Sequence, residues 1–304
     1  MISLVIPCYN EEESIPYFIK EINKVMDKMK KEKFELIFVN DGSKDKTLEM
    51  LKKLSKEDKR VKYISFSRNF GKEAAMLAGL EHTCGDYVAI MDADLQDPPE
   101  LIIEMYNGIK EEGYDCVGLR RMTRRGEPKV RSFFAKCYYK IINKISNTEI
   151  VDGARDFRLM TRQMVNSILE LQENNRYSKG IFSWVGYNTK WLEYKNVERV
   201  AGVTKWSFFK LFAYSIESII AFSTFPLILS ILVGLFLLFI SFIMIIMLFY
   251  FKTEFLQVCT LMVFLGGIQI TFLGVIGLYL SKIHIELQNR PKYIIKETNI
   301  KKAS

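Results

Sequence analysis

"DYVAIMDADLQDPPE", residues 86–100, places a run of small and branched apolar residues directly before Asp92, Asp94, Gln96 and Asp97. Such a run, closed by acids, reads as a buried strand that delivers carboxylates to its own carboxyl end. Asp92 and Asp94 are two positions apart, so on an extended segment their side chains face one side. Two adjacent carboxylates repel unless a cation joins them. Mg²⁺ and Mn²⁺ suit carboxylate oxygens and also bridge to substrate phosphates. Gln96, two positions further on, offers an amide oxygen to the same ion. Asp97 has a plainer reading. Followed by Pro98, with Glu100 three residues on, it fits a helix N-cap, a Pro at N1 and a capping box.

The pattern repeats on the N-terminal side. "SLVIPCY", "FELIFVND" and "VKYISFS" are further short runs rich in Val, Ile, Phe and Tyr, separated by helical periodicity near residues 12–31, 45–58 and 71–82. Strand and helix in alternation predict an α/β fold, a doubly wound and mostly parallel sheet. Ligands of such sheets gather beyond the carboxyl ends of the strands. Asn10 and Glu11 follow the first run, Asp41 the second, and Asp92 and Asp94 the fourth. No G-x-G-x-x-G and no G-x-x-x-x-G-K-[ST] occurs, which disfavours a dinucleotide fold and a P-loop NTPase.

The chain of 304 residues is long enough for one medium catalytic domain and something smaller. Its net charge of +8 points to an anionic partner: nucleic acid, a phosphorylated substrate or a membrane surface. The five cysteines are scattered without a C-x-x-C, so neither a zinc site nor a disulfide framework is indicated. Only two histidines, His82 and His284, are present, which speaks against a His-rich metal site or a Ser-His-Asp triad. "MISLVIPCYNEEE" has no basic leader region and too short an apolar run for a signal peptide, so the start is expected to belong to the fold in the cytosol.

Near residue 216 the composition changes. Residues 225–251 and 255–281 carry no charge, and each exceeds the roughly 20 residues that a helix needs to cross the hydrocarbon core. Only "KTE" separates them, so they predict a transmembrane hairpin, with a buried helical pair in a soluble core as the alternative. Lys205 and Lys210 before it, and Lys282, Arg290 and Lys292 after it, put both flanks in the cytosol. Gly266, Gly267, Gly274 and Gly277 suit close packing of helices or protomers. Residues 127–146 set Val130, Phe133, Phe134, Cys137, Tyr138, Ile141, Ile142 and Ile145 on one stripe, with Lys129, Arg131, Lys136, Lys140 and Lys144 around it. A basic amphipathic helix of this kind suits an anionic membrane surface, and residues 205–218 repeat the theme. Arg120, Arg121, Arg124 and Arg125 cluster just upstream and are candidates to grip phosphate.

Taken in order, "VIPCYNEEE", "FVNDGSKDKT", "SRNFGKEAAMLAGL", "DADLQDPPE", "DFRLMTR" and "ERVAGVTKWS" resemble the family-two glycosyltransferases of GT-A fold. Within that family they are most similar to the polyprenyl-phosphate glycosyltransferases, the dolichyl-phosphate mannose synthases and bactoprenol glucosyltransferases. The resemblance implies a GT-A catalytic domain over residues 1–200, a juxtamembrane amphipathic helix over 201–222, two transmembrane helices over 223–282 and a cytosolic tail over 283–304. It implies that Pro7, Tyr9, Asn10, Glu11, Asp41, Lys72 and Asp92 bind the nucleotide sugar, Asp41 at the base or ribose. Asp92, Asp94 and Gln96 would hold Mg²⁺ or Mn²⁺ against the diphosphate. Asp94 and Asp156 would be the catalytic residues, Asp156 as base or as orienter of the acceptor, with an ion pair to Arg155 or Arg158 as the other reading of Asp156. Arg120, Arg131, Arg199 and Lys205 would take the acceptor phosphate.

The implied reaction moves one sugar from a nucleotide donor to polyprenyl phosphate, with inversion, on the cytosolic face of a bacterial plasma membrane. UDP-glucose is the first choice of donor; UDP-N-acetylglucosamine, modified arabinose and GDP-mannose stay open. The Lys-, Ile- and Asn-rich composition favours undecaprenyl over dolichyl phosphate. The implied partners are the nucleotide sugar, the lipid, the membrane and further copies of the chain, a tetramer among them, and no nucleic acid. An acceptor phosphate monoester has a second pKa of about 6, so near neutrality it needs little deprotonation, and Asp156 is expected mainly to position groups. A processive polysaccharide synthase is the second reading; it lacks support from a Q-x-x-R-W motif, which is absent. A non-enzymatic membrane adaptor leaves Asp41, Asp92 and Asp94 unexplained.

Overall fold

The computed structural model describes residues 1–121, 139–140, 142–144, 150–173, 176–194 and 255–300, with isolated positions at 233 and 236. β1 (Ile2–Cys8), β2 (Phe34–Asn40), β3 (Val61–Phe66) and β4 (Tyr87–Ile90) alternate with α1 (Ile15–Lys28), α2 (Thr47–Glu57) and α3 (Lys72–Glu81). α4 (Leu101–Lys110), β5 (Cys116–Arg121), β6 (Ala154–Thr161), α5 (Arg162–Glu170), α6 (Ser178–Trp184) and β7 (Thr189–Tyr194) follow. α7 (Phe255–Leu287) and β8 (Ile295–Thr298) close the described chain. The expected strand–helix alternation over the first hundred residues is present, with element ends shifted by a few positions.

The strands form one sheet in the order β7-β5-β6-β4-β1-β2-β3-β8. β1 pairs in parallel with β2 and β4, and β2 with β3. The other half is mixed: β6 runs antiparallel to both β4 and β5, while β5 and β7 are parallel. The parallel expectation therefore holds for the half that carries the strand–helix repeats, and the sheet as a whole is mixed. β2 is buried along its whole length and reads as an apolar run broken only by Glu35, which accepts from Ser3 and Lys62, and by Asn40 at its end.

Side chains alternate between two cores. Leu4 and Ile6 enter one with Phe18, Ile22 and Ile102, from α1 and α4. Val5 enters the other with Met76, Leu80, Met164 and Phe182, from α3, α5 and α6. α1 owes its form to Ile15, Phe18, Ile22, Val25 and Met26, buried at helical spacing, with a proline in its first turn. α3 lies very close to β1. A Cβ added at Gly79 would stand 2.1 Å from Val5 Cγ1, so only glycine admits this approach.

Two findings differ from the sequence reading. α4 starts at Leu101, and its N-cap position is Glu100, with no side-chain cap. Asp97 is therefore no N-cap. Pro98 precedes Pro99, which pushes Pro98 out of the helical region and delays the start. Second, residues 283–304, read as a tail, contain β8, which pairs antiparallel with β3 at Ile64–Thr298, Ser65–Glu297 and Phe66–Ile295. The Tyr293 ring stacks on Phe66 at 5.0 Å, its hydroxyl donates to Glu81, and Lys52 pairs with Glu297 at 2.6 Å.

Among the described residues no helix is long and apolar enough to cross a membrane. Of the first expected span, 225–251, only positions 233 and 236 are described, and 201–222 lie outside the described residues. The second, 255–281, falls in α7, whose Met262, Leu273, Leu278 and Leu280 are exposed. Of the basic amphipathic stretch 127–146, only five residues are described: Ile142 is buried, while Lys140 and Lys144 are exposed, as the stripe requires.

Candidate active site

Register brings the site together. β6 runs antiparallel to β4 with Arg158 opposite Ile90. Continuing that register two residues past the end of β4 brings Asp92 opposite Asp156. The N-terminus of α3 adds Lys72 from a third direction. The Lys72 ammonium lies 2.7 Å from Asp92 Oδ1, 2.8 Å from Asp92 Oδ2 and 2.6 Å from Asp156 Oδ2. Three residues separated by 20 and 84 positions thus share one charge cluster.

The cluster sets its own protonation. Burial raises the Asp156 carboxyl, but the charges of Lys72 and Lys179 outweigh it, and the net result holds Asp156 well below the usual carboxylate range. Burial also pulls Lys72 down, and the charges of Asp156 and Asp92 more than offset it, so Lys72 stays protonated. Asp156 pairs with neither Arg155 nor Arg158 in the manner expected. Arg155 instead donates from Nε to Asp97 Oδ1 at 3.1 Å, and the Tyr194 hydroxyl donates to the same carboxylate. Asp97, 3% exposed, is a buried anchor that ties the acidic loop to β6 and β7. Arg158, also 3% exposed, lies with its guanidinium 3.8 Å from the Phe182 ring centroid, and its Nη2 donates to the Arg155 carbonyl.

The acidic loop bends sharply. Leu95 has φ of 56°, a left-handed conformation that costs a bulky residue strain. The bend returns the Gln96 amide to Asp94 Oδ1 at 3.2 Å, and Asp94 is nearly buried. Gln96 Oε1 faces Arg155 Nη2 at 3.4 Å. Asp92, Asp94 and Gln96 thus leave β4 on one short loop.

A second set of contacts frames the space beside this loop. Asn10, with φ of 54°, donates its amide to Ser43 Oγ and accepts from the Lys44 amide. The Glu11 amide donates to Thr47 Oγ1, and the Glu11 carboxylate accepts from Ser14. These bonds lash the loop after β1 to the loop after β2. Pro7 and Tyr9 are half-buried on the same strand end. Asp41 is expected at the base or ribose, yet its carboxylate accepts from the Phe70 and Gly71 amides at 2.6 and 2.9 Å. It holds the loop 67–71 that leads into Lys72. Gly42 makes this closeness possible: its φ is +64°, and a Cβ there would lie 2.4 Å from the Arg68 carbonyl carbon.

The residues fit a divalent cation by their chemistry. Mg²⁺ is usually held by one or two carboxylates plus substrate phosphates. Asp92 and Asp94 supply two carboxylates and Gln96 an amide oxygen on one loop. Among the described residues no group of three or more His, Cys, Asp or Glu that could hold a metal ion is present. Of the acceptor candidates, Arg120 sits at the exposed end of β5 and donates from Nε to the Asp152 carbonyl at 3.1 Å. Arg131, Arg199 and Lys205 lie outside the described residues. Lys179, Arg155 and the bridging position of Lys72 were not legible as site features, because each depends on partners far away in sequence.

The family model for glycosyl transferase family 2 matches residues 3–169, which hold all of these loops. The chain is 45% identical over 313 residues to the putative glycosyltransferase CsbB of Bacillus subtilis (strain 168), covering 99% of this chain and 92% of that protein. It is 43% identical over 305 residues to the SfII prophage-derived bactoprenol glucosyl transferase of Shigella flexneri, covering 98% of each. The fold also resembles that of glucosyl-3-phosphoglycerate synthase from Mycobacterium tuberculosis, with a TM-score of 0.49 and 20% identity over 72% of this chain and 77% of that one.

Proposed function

The chain belongs to glycosyl transferase family 2, and from that premise we propose that it moves a single glucose from UDP-glucose to polyprenyl phosphate, undecaprenyl phosphate in a bacterium. The observation that carries the reading is the meeting of Asp92, Lys72 and Asp156 at the end of β4, beside the donor loops. The likeness to a bactoprenol glucosyl transferase over nearly the full length of both chains supports the acceptor class.

Asp92 and Asp94, with Gln96, would hold Mg²⁺ or Mn²⁺. When bound, that ion supplies positive charge where the diphosphate leaving group becomes more negative. The loops after β1 and β2 hold the nucleotide through Pro7, Tyr9, Asn10 and Glu11, and Asp41 acts by fixing the loop 67–71. Asp156 stays ionised and orients Lys72 and the acceptor. The acceptor phosphate, largely a dianion at neutrality, attacks the anomeric carbon without surrendering a proton to the enzyme. The sugar–diphosphate bond breaks as the new bond forms on the opposite face. A single in-line displacement inverts the centre, so an α-linked donor gives a β-linked product. The uncharged stretches 225–251 and 255–281 anchor the chain in the plasma membrane, with the catalytic domain on the cytosolic side near the lipid.

Purified protein in detergent tests the donor. UDP-glucose, UDP-N-acetylglucosamine and GDP-mannose are supplied separately with undecaprenyl phosphate, and the released nucleotide is measured. Acceptor-dependent release from UDP-glucose, abolished by EDTA and by Asp94→Ala, is the expected result. Release from another donor alone would reassign the sugar.

A further inference from the structure

Lys72 stands where a divalent cation needs to bind. Its ammonium straddles both oxygens of Asp92 and also touches Asp156. A metal ion bound through Asp92 takes lone pairs on the same oxygens, at about 2.0–2.1 Å for Mg²⁺. An ammonium at 2.7–2.8 Å from both oxygens occupies the side of the carboxylate on which both oxygens could chelate one ion. A dication and an ammonium at such a separation also repel strongly. Lys72 has somewhere to go. It springs from the first residue of α3, just after Gly71, whose φ is +98° and beside which a Cβ would meet nothing within 4 Å. The Lys72 side chain is 34% exposed, and the Gly71 amide beside it donates to Asp41 at the end of β2.

We infer that Lys72 is the resident counter-cation of Asp92, and that a divalent cation chelated by both oxygens of Asp92 displaces it. Metal alone is therefore held weakly. A nucleoside diphosphate relieves the competition, because its phosphate oxygens give the displaced ammonium a new anionic partner while also ligating the metal. Metal and donor then bind cooperatively. By linkage each tightens the other by the same factor, typically within roughly 5- to 150-fold. In the empty enzyme Lys72 keeps Asp92 and Asp156 from repelling each other, so one residue serves as a placeholder in one state and a donor clamp in the other. The inference rests on the reading that Asp92 helps to hold the cation.

The test uses Mn²⁺ alone, with the full chain in detergent, and reads free Mn²⁺ by its electron paramagnetic resonance signal. Without nucleotide, Lys72→Met is expected to bind Mn²⁺ at least about fivefold more tightly than the unaltered chain. Lys72→Arg keeps the charge and should stay as weak as the unaltered chain. Adding Asp92→Asn to Lys72→Met should remove the gain, which places the ion at Asp92. Addition of UDP should then tighten Mn²⁺ by a larger factor in the unaltered chain than in Lys72→Met. Equal or weaker Mn²⁺ binding by folded Lys72→Met would overturn the inference. If Lys72→Met does not fold, the ¹⁵N ammonium resonance of Lys72 in the unaltered chain decides, identified by its loss in Lys72→Arg. Saturating Mg²⁺ without nucleotide must move it, and a resonance that stays put overturns the inference. None of these readouts needs sugar transfer. A chain that transfers no sugar but shows the Lys72 effect would sink the proposed function alone.

Discussion

At the residue scale, the informative group is Asp156. A general base is most effective with a pKa near its working pH; burial raises Asp156, but the charges of Lys72 and Lys179 outweigh it and hold it far below that range, which leaves it a weak base. Its lowered pKa means that its charge, and the ion pair with Lys72, are fully present above about pH 4, the ordinary aspartate value, and are lost only as pH falls through its lower folded-state value. The acid limb of turnover should therefore come from the acceptor phosphate, with an apparent pKa of about 6. Asp156→Asn is expected to lower kcat about 100-fold through loss of positioning. The acid limb of its residual activity should remain at about pH 6. A pH–rate profile of both proteins checks this; a limb that vanishes in Asp156→Asn would make Asp156 the titrating base. The same scale shows the limits of sequence reading. Asp97-Pro98-Pro99-Glu100 has every mark of a capped helix start, yet Asp97 is taken by Arg155 and Tyr194, 58 and 97 positions away.

At the scale of elements, the acidic ends of β1, β2 and β4 were legible because a buried parallel strand shows as an apolar run and its ligand-side loop as a polar break. β6 was not placed by any such signal. It reaches the site through antiparallel pairing with β4, which no local pattern encodes. β8 escaped for the same reason: "IKET" is four residues long, and its partner β3 lies more than 200 positions earlier. Its position has a consequence for the donor loops. The Ser67 amide donates to the Ile294 carbonyl at 3.0 Å, and Phe66, stacked on Tyr293, also packs edge-on against Phe70. The segment after α7 thus braces the loop that Asp41 holds and Lys72 ends. Tyr293→Ala removes the stack and the bond to Glu81, and should destabilise β8 docking by about 1 kcal/mol or somewhat more. Hydrogen–deuterium exchange should then quicken at residues 63–71 and stay unchanged at 87–90 in β4. Unchanged exchange at 63–71 would mean that β8 does not support this loop.

At the scale of the whole molecule, one sheet gathers the loops after β1 and β2, the acidic loop after β4 and the Asp156 carboxylate of β6. β7 and β8, which bracket the apolar stretches in the sequence, belong to this same sheet, β8 paired with β3. The Lys and Arg flanks and the uncharged stretches were readable from composition alone, and so was the need for an anionic partner. The identity of the sugar was not, because it depends on the shape of a pocket assembled from distant segments. The central claim is that one sugar, and only one, is joined to a polyprenyl phosphate. Mass spectrometry of the lipid fraction tests it most directly, after purified protein is incubated with UDP-glucose, Mg²⁺ and undecaprenyl phosphate. The expected product is a lipid heavier by a single hexose, absent with EDTA. A ladder of longer glycans, or consumed donor with an unaltered lipid, would contradict it.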